Sequence, residues 1–485
     1  MTTTKQRRGR GRISGLVIGV AVAALAGMTS AASAARDAQP TWRDCAGQGT
    51  PAGMQCAAIE VPVDWAKPDG LKVELDLARL PATEPAHRIG SVLGIPGGPG
   101  ADGIEDLKRA ADLTELGRRF DLVAYKPRTT VWREQLPPSC MQPGTSLLDP
   151  QSRKEYKAQA AAMTKAFKEC QNADKTGLFA HMDSLSAARD MDAVREALGE
   201  ERLSFMANSY GGVPATAYIR LFPQRIRAMY IDGVVNHALG WPEAQLQVLS
   251  VSERGFAGFT TWCAATAACA LHGEDAGAVW RKLIRDADRH PIPTTSPGLG
   301  KGELTGWQLK TFGYMNDPAR WPAFAEAVDK ARHGDGSGFG EVILGNSRIW
   351  AMPGALAMTC ADGRGYTGYA QLQKFRRQAR KISPNLGGGA AMDALGCAGW
   401  PLPVANPSRP LPTRGLPPFL GAGSTWGDYV WTESFTRMIP RSVTVGYDGP
   451  GHALYLTGKK CPIQHATTYL TGLRPPKPGT ICPAE

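Results

Sequence analysis

Ser209 lies in the run Arg202-Leu-Ser-Phe-Met-Ala-Asn-Ser209-Tyr-Gly-Gly212, where a short apolar stretch breaks into a serine flanked by small residues. A helical pattern follows over 213–222. A serine on a sharp strand-to-helix turn stands clear of its sheet, and the helix N-terminus beneath it favours developing negative charge. A weak hydroxyl nucleophile is presented to an acyl carbon in this way. The usual spelling is Gly-x-Ser-x-Gly; here Ala207 takes the first glycine's place and adds one methyl where strand and helix crowd. So short a motif also reads as a plain tight turn, and its surroundings have to decide.

Two further stretches supply them. Residues 94–100, Gly-Ile-Pro-Gly97-Gly98-Pro-Gly100, follow an apolar run. Glycines there let main-chain N–H groups approach a ligand with no Cβ in the way. In acyl transfer, one amide of such a loop and the amide after the nucleophile hold the oxyanion, which assigns Gly98 and Tyr210 to that work. The stretch lacks the Lys-Ser/Thr of a phosphate loop and the G-x-G-x-x-G spacing, so nucleotide binding is not expected. Of eight histidines, His452 in Tyr447-Asp-Gly-Pro-Gly451-His452 follows a late strand through a glycine-rich turn, the place of a general base. His465 falls in a helical pattern, and His87, His181, His237, His272, His290 and His333 read as surface or as part of the long helical stretch.

These residues need a sheet to hold them. Alternation over 71–80 predicts a half-buried strand, and the short apolar runs at 91–95, 122–125, 202–207 and 228–231 predict strands buried on both faces. A helical pattern over 184–199 precedes the serine strand. This alternation implies a mostly parallel sheet with helices on both sides. From about Trp241 to 400 the chain is helical in pattern, divided by Pro/Gly-rich segments at 291–302 and 334–340. Strand patterns return at 418–421 and 442–447. Residues 35–240 and 401–485 are therefore expected to form one core, with 241–400 a helical lid inserted between them.

The N-terminus sets the compartment. Lys5, Arg7, Arg8, Arg10 and Arg12 precede an apolar stretch from Ile13 to about Met28 and an Ala32-Ser33-Ala34 cleavage pattern. Residues 1–34 read as a secretory signal peptide, too short in its apolar part to span a bilayer at the roughly 20 residues required. The protein is expected to be extracellular, a monomer and without a stable membrane anchor. Cleavage removes five of the eleven net positive charges, and the remainder forms no basic stripe, which excludes nucleic acid as a partner. All ten cysteines lie beyond the leader, and an even count in an exported chain favours disulfides. Pairing of sequence neighbours closes short local loops, Cys461 with Cys482 stapling the tail.

Taken together, Val61-Pro62-Val63-Asp64-Trp65, Pro96-Gly97-Gly98-Pro99-Gly100, Ala187-Ala188-Arg189-Asp190, Ser209-Tyr210-Gly211, Ile231-Asp232-Gly233-Val234-Val235, Gly449-Pro450-Gly451-His452 and Pro478-Gly479-Thr480-Ile481-Cys482 resemble the secreted actinobacterial tripeptidyl-aminopeptidase-like α/β-hydrolases, relatives of prolyl aminopeptidases. The resemblance covers nearly the whole chain after the leader. It implies an α/β-hydrolase fold and cleavage of short peptides from a free N-terminus by a Ser/His/Asp mechanism. Ser209 and His452 fall on the family's nucleophile and base, Gly98 and Tyr210 on its oxyanion donors.

Two positions depart from the family. Lys126-Pro127-Arg128-Thr129-Thr130-Val131 stands where Asp-Pro-Arg-Gly-Thr-Gly is usual. The catalytic acid is expected in a Gly-x-x-Asp stretch, and in Gly423-Ser-Thr-Trp426-Gly-Asp428 its slot holds Trp426. An imidazole that becomes cationic needs a partner to fix its tautomer. Asp428 can reach it through a shifted loop; Asp232, at the end of the strand after the serine unit, is the alternative; the third case has no acid at all. Trp426 can form an aromatic wall for a flat substrate. Asp362, in Met358-Thr-Cys360-Ala-Asp362, can pair with a substrate's ammonium group, or stand in solvent. A serine hydrolase acting on peptides without metal or organic cofactor is the reading these residues favour. An esterase, lactonase or amidase acting on a small molecule, and a non-hydrolytic protein of the same fold, are the alternatives.

Overall fold

A computed structural model describes residues 40–485 apart from 48, 111–114, 145–148, 312–316, 388–391 and 413. The leader read over residues 1–34 lies outside the described residues. Ten strands form one sheet: β1 (Arg43–Asp44), β2 (Gln55–Pro62), β3 (Lys72–Leu80), β4 (Gly90–Ile95), β5 (Phe120–Tyr125), β6 (Leu203–Asn208), β7 (Ile226–Asp232), β10 (Leu420–Ser424), β11 (Val443–Asp448) and β12 (Ile481–Pro483). Their spatial order is β1-β2-β3-β5-β4-β6-β7-β10-β11-β12. The pairs among β1, β2, β3 and β5 are antiparallel, and every pair from β5–β4 to β11–β12 is parallel.

The parallel strands are apolar because both faces are covered. One face packs on α4 (Ser184–Ala197) and α5 (Gly212–Leu221) through Leu93, Phe205, Met229, Ala188 and Tyr218. The other packs on α1 (Gly103–Ala110) and α12 (Lys460–Gly472) through Val92, Tyr230, Val445 and Tyr469. Two more helices, α2 (Arg128–Glu134) and α3 (Arg153–Ala173), lie between β5 and α4 in the chain.

Between β7 and β10 come α6 (Trp241–Ala265), α7 (Ala276–Arg289), α8 (Trp321–Arg332), α9 (Ser337–Ile349), α10 (Pro353–Ala361) and α11 (Tyr369–Ile382). Phe256, Phe259, Trp280, Phe324 and Phe339 make a separate cluster within this stretch. It is not wholly helical. The Pro/Gly-rich segment read as a divider contains the hairpin β8 (Ile292–Ser296) and β9 (Gly300–Leu304), whose first strand alternates buried and exposed. β10, β11 and β12 rejoin the first sheet beside β7. Among the described residues, side chains of Ser152, Asp183, Asp275 and Thr305 cap the N-termini of α3, α4, α7 and the short helix Gly306–Leu309.

Five disulfides join sequence neighbours: Cys45–Cys56, Cys140–Cys170, Cys263–Cys269, Cys360–Cys397 and Cys461–Cys482. Among the described residues no helix is long and apolar enough to cross a membrane.

Candidate active site

The site lies where the parallel strands end. Asn208, the last residue of β6, pairs in register with Asp232 of β7, and Asp232 pairs with Ala422 of β10. Ser209 follows with φ +53°, a left-handed conformation that a serine adopts only under constraint. The constraint is visible. Its carbonyl accepts Val235 N–H at 2.9 Å. The turn also packs so tightly that a Cβ on Gly212 would fall 2.4 Å from Val235 O. Glycine is therefore required there by close approach, and likewise at Gly211, the last glycine of the motif, where a Cβ would fall 2.5 Å from Ile95 O.

The glycine loop after β4 lies against the serine, since a Cβ on Gly97 would fall 2.7 Å from Ser209 Cβ. Gly98 N–H donates to no partner among the described residues. Tyr210 N–H, in the first turn before α5, has no intrahelical acceptor. Among the described residues, the amides of Tyr210, next to the serine, and of Gly98, next to the glycine that touches it, thus have no acceptor.

Asp428 and His452 meet at the ends of β10 and β11. Asp428 Oδ2 lies 2.5 Å from His452 Nδ1, and Oδ1 accepts Ser424 N–H at 2.8 Å, which closes the Gly423–Asp428 turn. Ser424 Oγ donates to Gly449 O at 2.6 Å and so ties this turn to the histidine loop. The carboxylate side chain is 8% exposed and the imidazole 52%. A buried acceptor on Nδ1 leaves Nε2 as the free ring nitrogen. The hydrogen bond to Asp428 raises the His452 pKa above its ordinary value, against the opposing effect of burial. Gly233 is wedged between the parts: a Cβ there would sit 2.4 Å from Asp428 Oδ2 and 3.0 Å from His452 Nδ1. Because Gly233 directly follows Asp232, the partner of Asn208, the imidazole stands one strand from Ser209. No hydrogen bond joins Ser209 Oγ to His452 among the described residues. Such contacts often tighten only when substrate is present.

Other sequence expectations are corrected. Asp232 has no hydrogen bond to the imidazole: its Oδ2 accepts the N–H of Tyr455, three residues beyond His452 in the chain, at 2.8 Å and the Tyr230 hydroxyl at 3.2 Å. Burial pushes its pKa up to about 6, the hydrogen bond from Tyr455 partly opposing. Asp362 neither awaits an ammonium group nor stands in solvent. It is 2% exposed, and both its oxygens are filled by Ser184, Asn406 and Tyr210. His237 is buried rather than on the surface, with Nε2 against Asp362 O at 2.8 Å. Trp426 is half-buried, its indole donating to Asp448 at 3.2 Å and its main-chain N–H to Ser424 Oγ at 3.2 Å. It therefore braces the turn that carries Asp428.

Within the stretch at 126–131, Arg128 is a residue the chain shares with the family pattern, and its surroundings give it a structural role. Arg128 is fully buried, with Nε and Nη2 each 2.6 Å from the Asp190 carboxylate. It also donates to Val63 O, Pro62 O and His181 O, while Trp65 Nε1 donates to Asp190 Oδ1 at 3.0 Å. This bidentate pair joins three of the motifs quoted above, although nothing in their spacing showed that they meet.

A family model described as the alpha/beta hydrolase fold matches residues 160–289, and one described as TAP-like protein matches 383–482. Ser209 falls in the first, Asp428 and His452 in the second. The chain has the α/β-hydrolase fold. Its C-terminal part is similar to the TAP-like model, and three curated relatives are similar over most of the chain. Serine protease Hip1 of Mycobacterium tuberculosis is 28% identical over 469 residues, covering 89% of this chain and 88% of that protein. Tripeptidyl aminopeptidase of Streptomyces lividans is 27% identical, covering 81% of this chain and 76% of the relative. Carboxylesterase B of M. tuberculosis is 25% identical, covering 90% and 89%. The protein is a serine hydrolase of peptidase-like kind.

Proposed function

We propose that the protein is an exported exopeptidase that releases short peptides from free N-termini, with Ser209 as nucleophile, His452 as base and Asp428 as acid. The observation that carries this reading is the 2.5 Å contact between Asp428 and His452 Nδ1, made one strand from a serine held at positive φ. With Nδ1–H bonded to Asp428, His452 Nε2 takes the Ser209 Oγ proton as Oγ attacks the carbonyl carbon. The amides of Gly98 and Tyr210 receive the oxyanion. His452 returns the proton to the departing amine, and water enters by the reverse route to free the acid and the serine. Residues 241–400 serve as the lid over this site. The family resemblance and the peptidase relatives favour peptides; the five disulfides and the basic-apolar leader favour an oxidising compartment outside the cytoplasm.

A second reading, an esterase or amidase on a small molecule, draws on the carboxylesterase relative and on the loss of Asp362 as an ammonium partner. One comparison separates them. Tripeptide anilides with free amino termini, the same anilides N-acetylated, and simple aryl esters are assayed together. Release from free amines alone supports the exopeptidase; equal turnover of acetylated anilides, or turnover of esters only, overturns it.

A further inference from the structure

Asp362 ends α10 inside the protein, and its partners come from separate parts of the chain. Oδ1 accepts the main-chain N–H of Ser184 at 2.8 Å and the Asn406 amide at 2.9 Å. Oδ2 accepts the Ser184 hydroxyl at 2.7 Å and the Tyr210 phenol at 2.9 Å. Its own carbonyl accepts His237 Nε2–H at 2.8 Å. Ser184 opens α4, Tyr210 follows the serine turn, His237 lies after β7, and Asn406 lies on the segment returning to β10. The Cys360–Cys397 disulfide begins two residues earlier. A single carboxylate therefore fastens the inserted helices to the residue beside Ser209.

The chemistry of this junction is unusual for a simple fastening. All four donors on the carboxylate are neutral; it lies at the N-terminus of the 14-residue α4, and the cation that acts on it, Arg220, is bonded to Asn406 and to the His237 carbonyl rather than to the carboxylate itself. Burial pushes its pKa up to about 7. A neutral amide would fill the same space at lower cost, but it offers a single acceptor oxygen. With that oxygen taken by the two fixed donors, its NH₂ would face the Tyr210 hydroxyl. The carboxylate alone lets Tyr210 donate. Tyr210 is held at both ends, its phenol by Asp362 and its main chain by the strained turn at Ser209.

We propose that Asp362 is a positioning residue: by fixing the Tyr210 phenol it aims the Tyr210 main-chain N–H at the oxyanion, so that full reactivity requires the inserted helices to be seated. The proposal rests on the reading of Ser209 as nucleophile and Tyr210 N–H as oxyanion donor. It assigns to one hydrogen bond the coupling between the insertion and the chemistry.

The experiment measures, in the oxidised full-length protein, the rate of Ser209 phosphonylation by an aryl fluorophosphonate and the kcat and KM for p-nitrophenyl acetate. Wild type, Asp362→Asn, Tyr210→Phe and the double variant are compared, with melting temperatures beside them. Each single variant is expected to lose about tenfold or more in both labelling rate and kcat, with KM changing by less than about twofold. The double variant should be no slower than the slower single one, because both changes remove the same hydrogen bond. Wild-type rates in folded single variants, or losses that multiply in the double variant, overturn the proposal while leaving the nucleophile assignment intact. If Asp362→Asn does not fold, Tyr210→Phe decides alone, and a wild-type rate overturns the coupling. A wild-type protein that takes no label at Ser209 overturns the proposed function and this coupling with it.

Discussion

Replacing Gly233 by alanine adds one methyl group at the narrowest point of the site. Two costs follow from its position. Gly233 has φ +59°, where a residue with a Cβ costs about 1–2 kcal/mol. The new Cβ would also fall 2.4 Å from Asp428 Oδ2 and 2.9 Å from its Cγ, whereas ordinary contact begins at 3.4 Å. Relief requires the carboxylate to retreat by about 1 Å, a displacement of the size that costs about a hundredfold in rate. The carboxylate cannot retreat freely. It is anchored to Ser424 N–H at 2.8 Å and to His452 Nδ1 at 2.5 Å, so moving it stretches the bond that orients the base. Gly233→Ala is therefore expected to lower kcat between about 10²-fold and the roughly 10⁴-fold of a lost acid, for about 1–2 kcal/mol of stability. The assay is kcat on the best anilide or ester together with a urea unfolding curve, repeated in an Asp428→Asn background. There the alanine should add little, because the contact it disturbs is already gone. A Gly233→Ala enzyme within about threefold of wild-type kcat, or one whose loss multiplies with that of Asp428→Asn, refutes the reasoning.

Three other expectations follow from the same geometry. Because Asp428 stabilises the imidazolium, the acid limb of kcat/KM should lie above the ordinary imidazole value of 6.5. Asp428→Asn should move that limb to lower pH and cut kcat by about 10⁴-fold, and an unmoved limb contradicts the pairing. Arg128→Met leaves the buried Asp190 carboxylate without its cation and should cost about 3–5 kcal/mol by urea unfolding. Arg128→Met with Asp190→Leu should recover part of that loss, and a single variant as stable as wild type contradicts the account. Replacing Cys461 and Cys482 by serine opens a closure spanning 21 positions and should cost about 3 kcal/mol. Its first effect should be fraying of β12, whose ladder is the three residues Gly446–Asp448 against Ile481–Pro483, seen as faster amide exchange there.

Local patterns carried much of the fold. The apolar runs ending at Asn208 and Asp232 are strands in the structure because parallel strands covered on both faces need an unbroken apolar sequence, and the serine turn stands out by its small residues. The hairpin at 292–304 was not legible, since its proline and glycines read as punctuation and its pairing is seen only once β8 and β9 align. The partner of His452 could not be fixed from spacing. Asp428 and Asp232 both lie near strand ends, and the choice depends on a turn closed by Ser424 N–H. Asp362 is the clearest limit. Its neighbours Ser184, Tyr210 and Asn406 are separated from it by 178, 152 and 44 positions, so sequence alone left it between solvent and substrate. An aspartate directly after a cysteine-containing apolar helix was the only local hint that it turns inward.

The most direct measurement is mass mapping of the adduct formed by an aryl fluorophosphonate on the oxidised protein, with its rate compared in wild type and His452→Ala. A single adduct on the peptide carrying Ser209, formed at a rate that collapses without the imidazole, is the result predicted here. An intact Ser209, or labelling that proceeds as fast without His452, would contradict it.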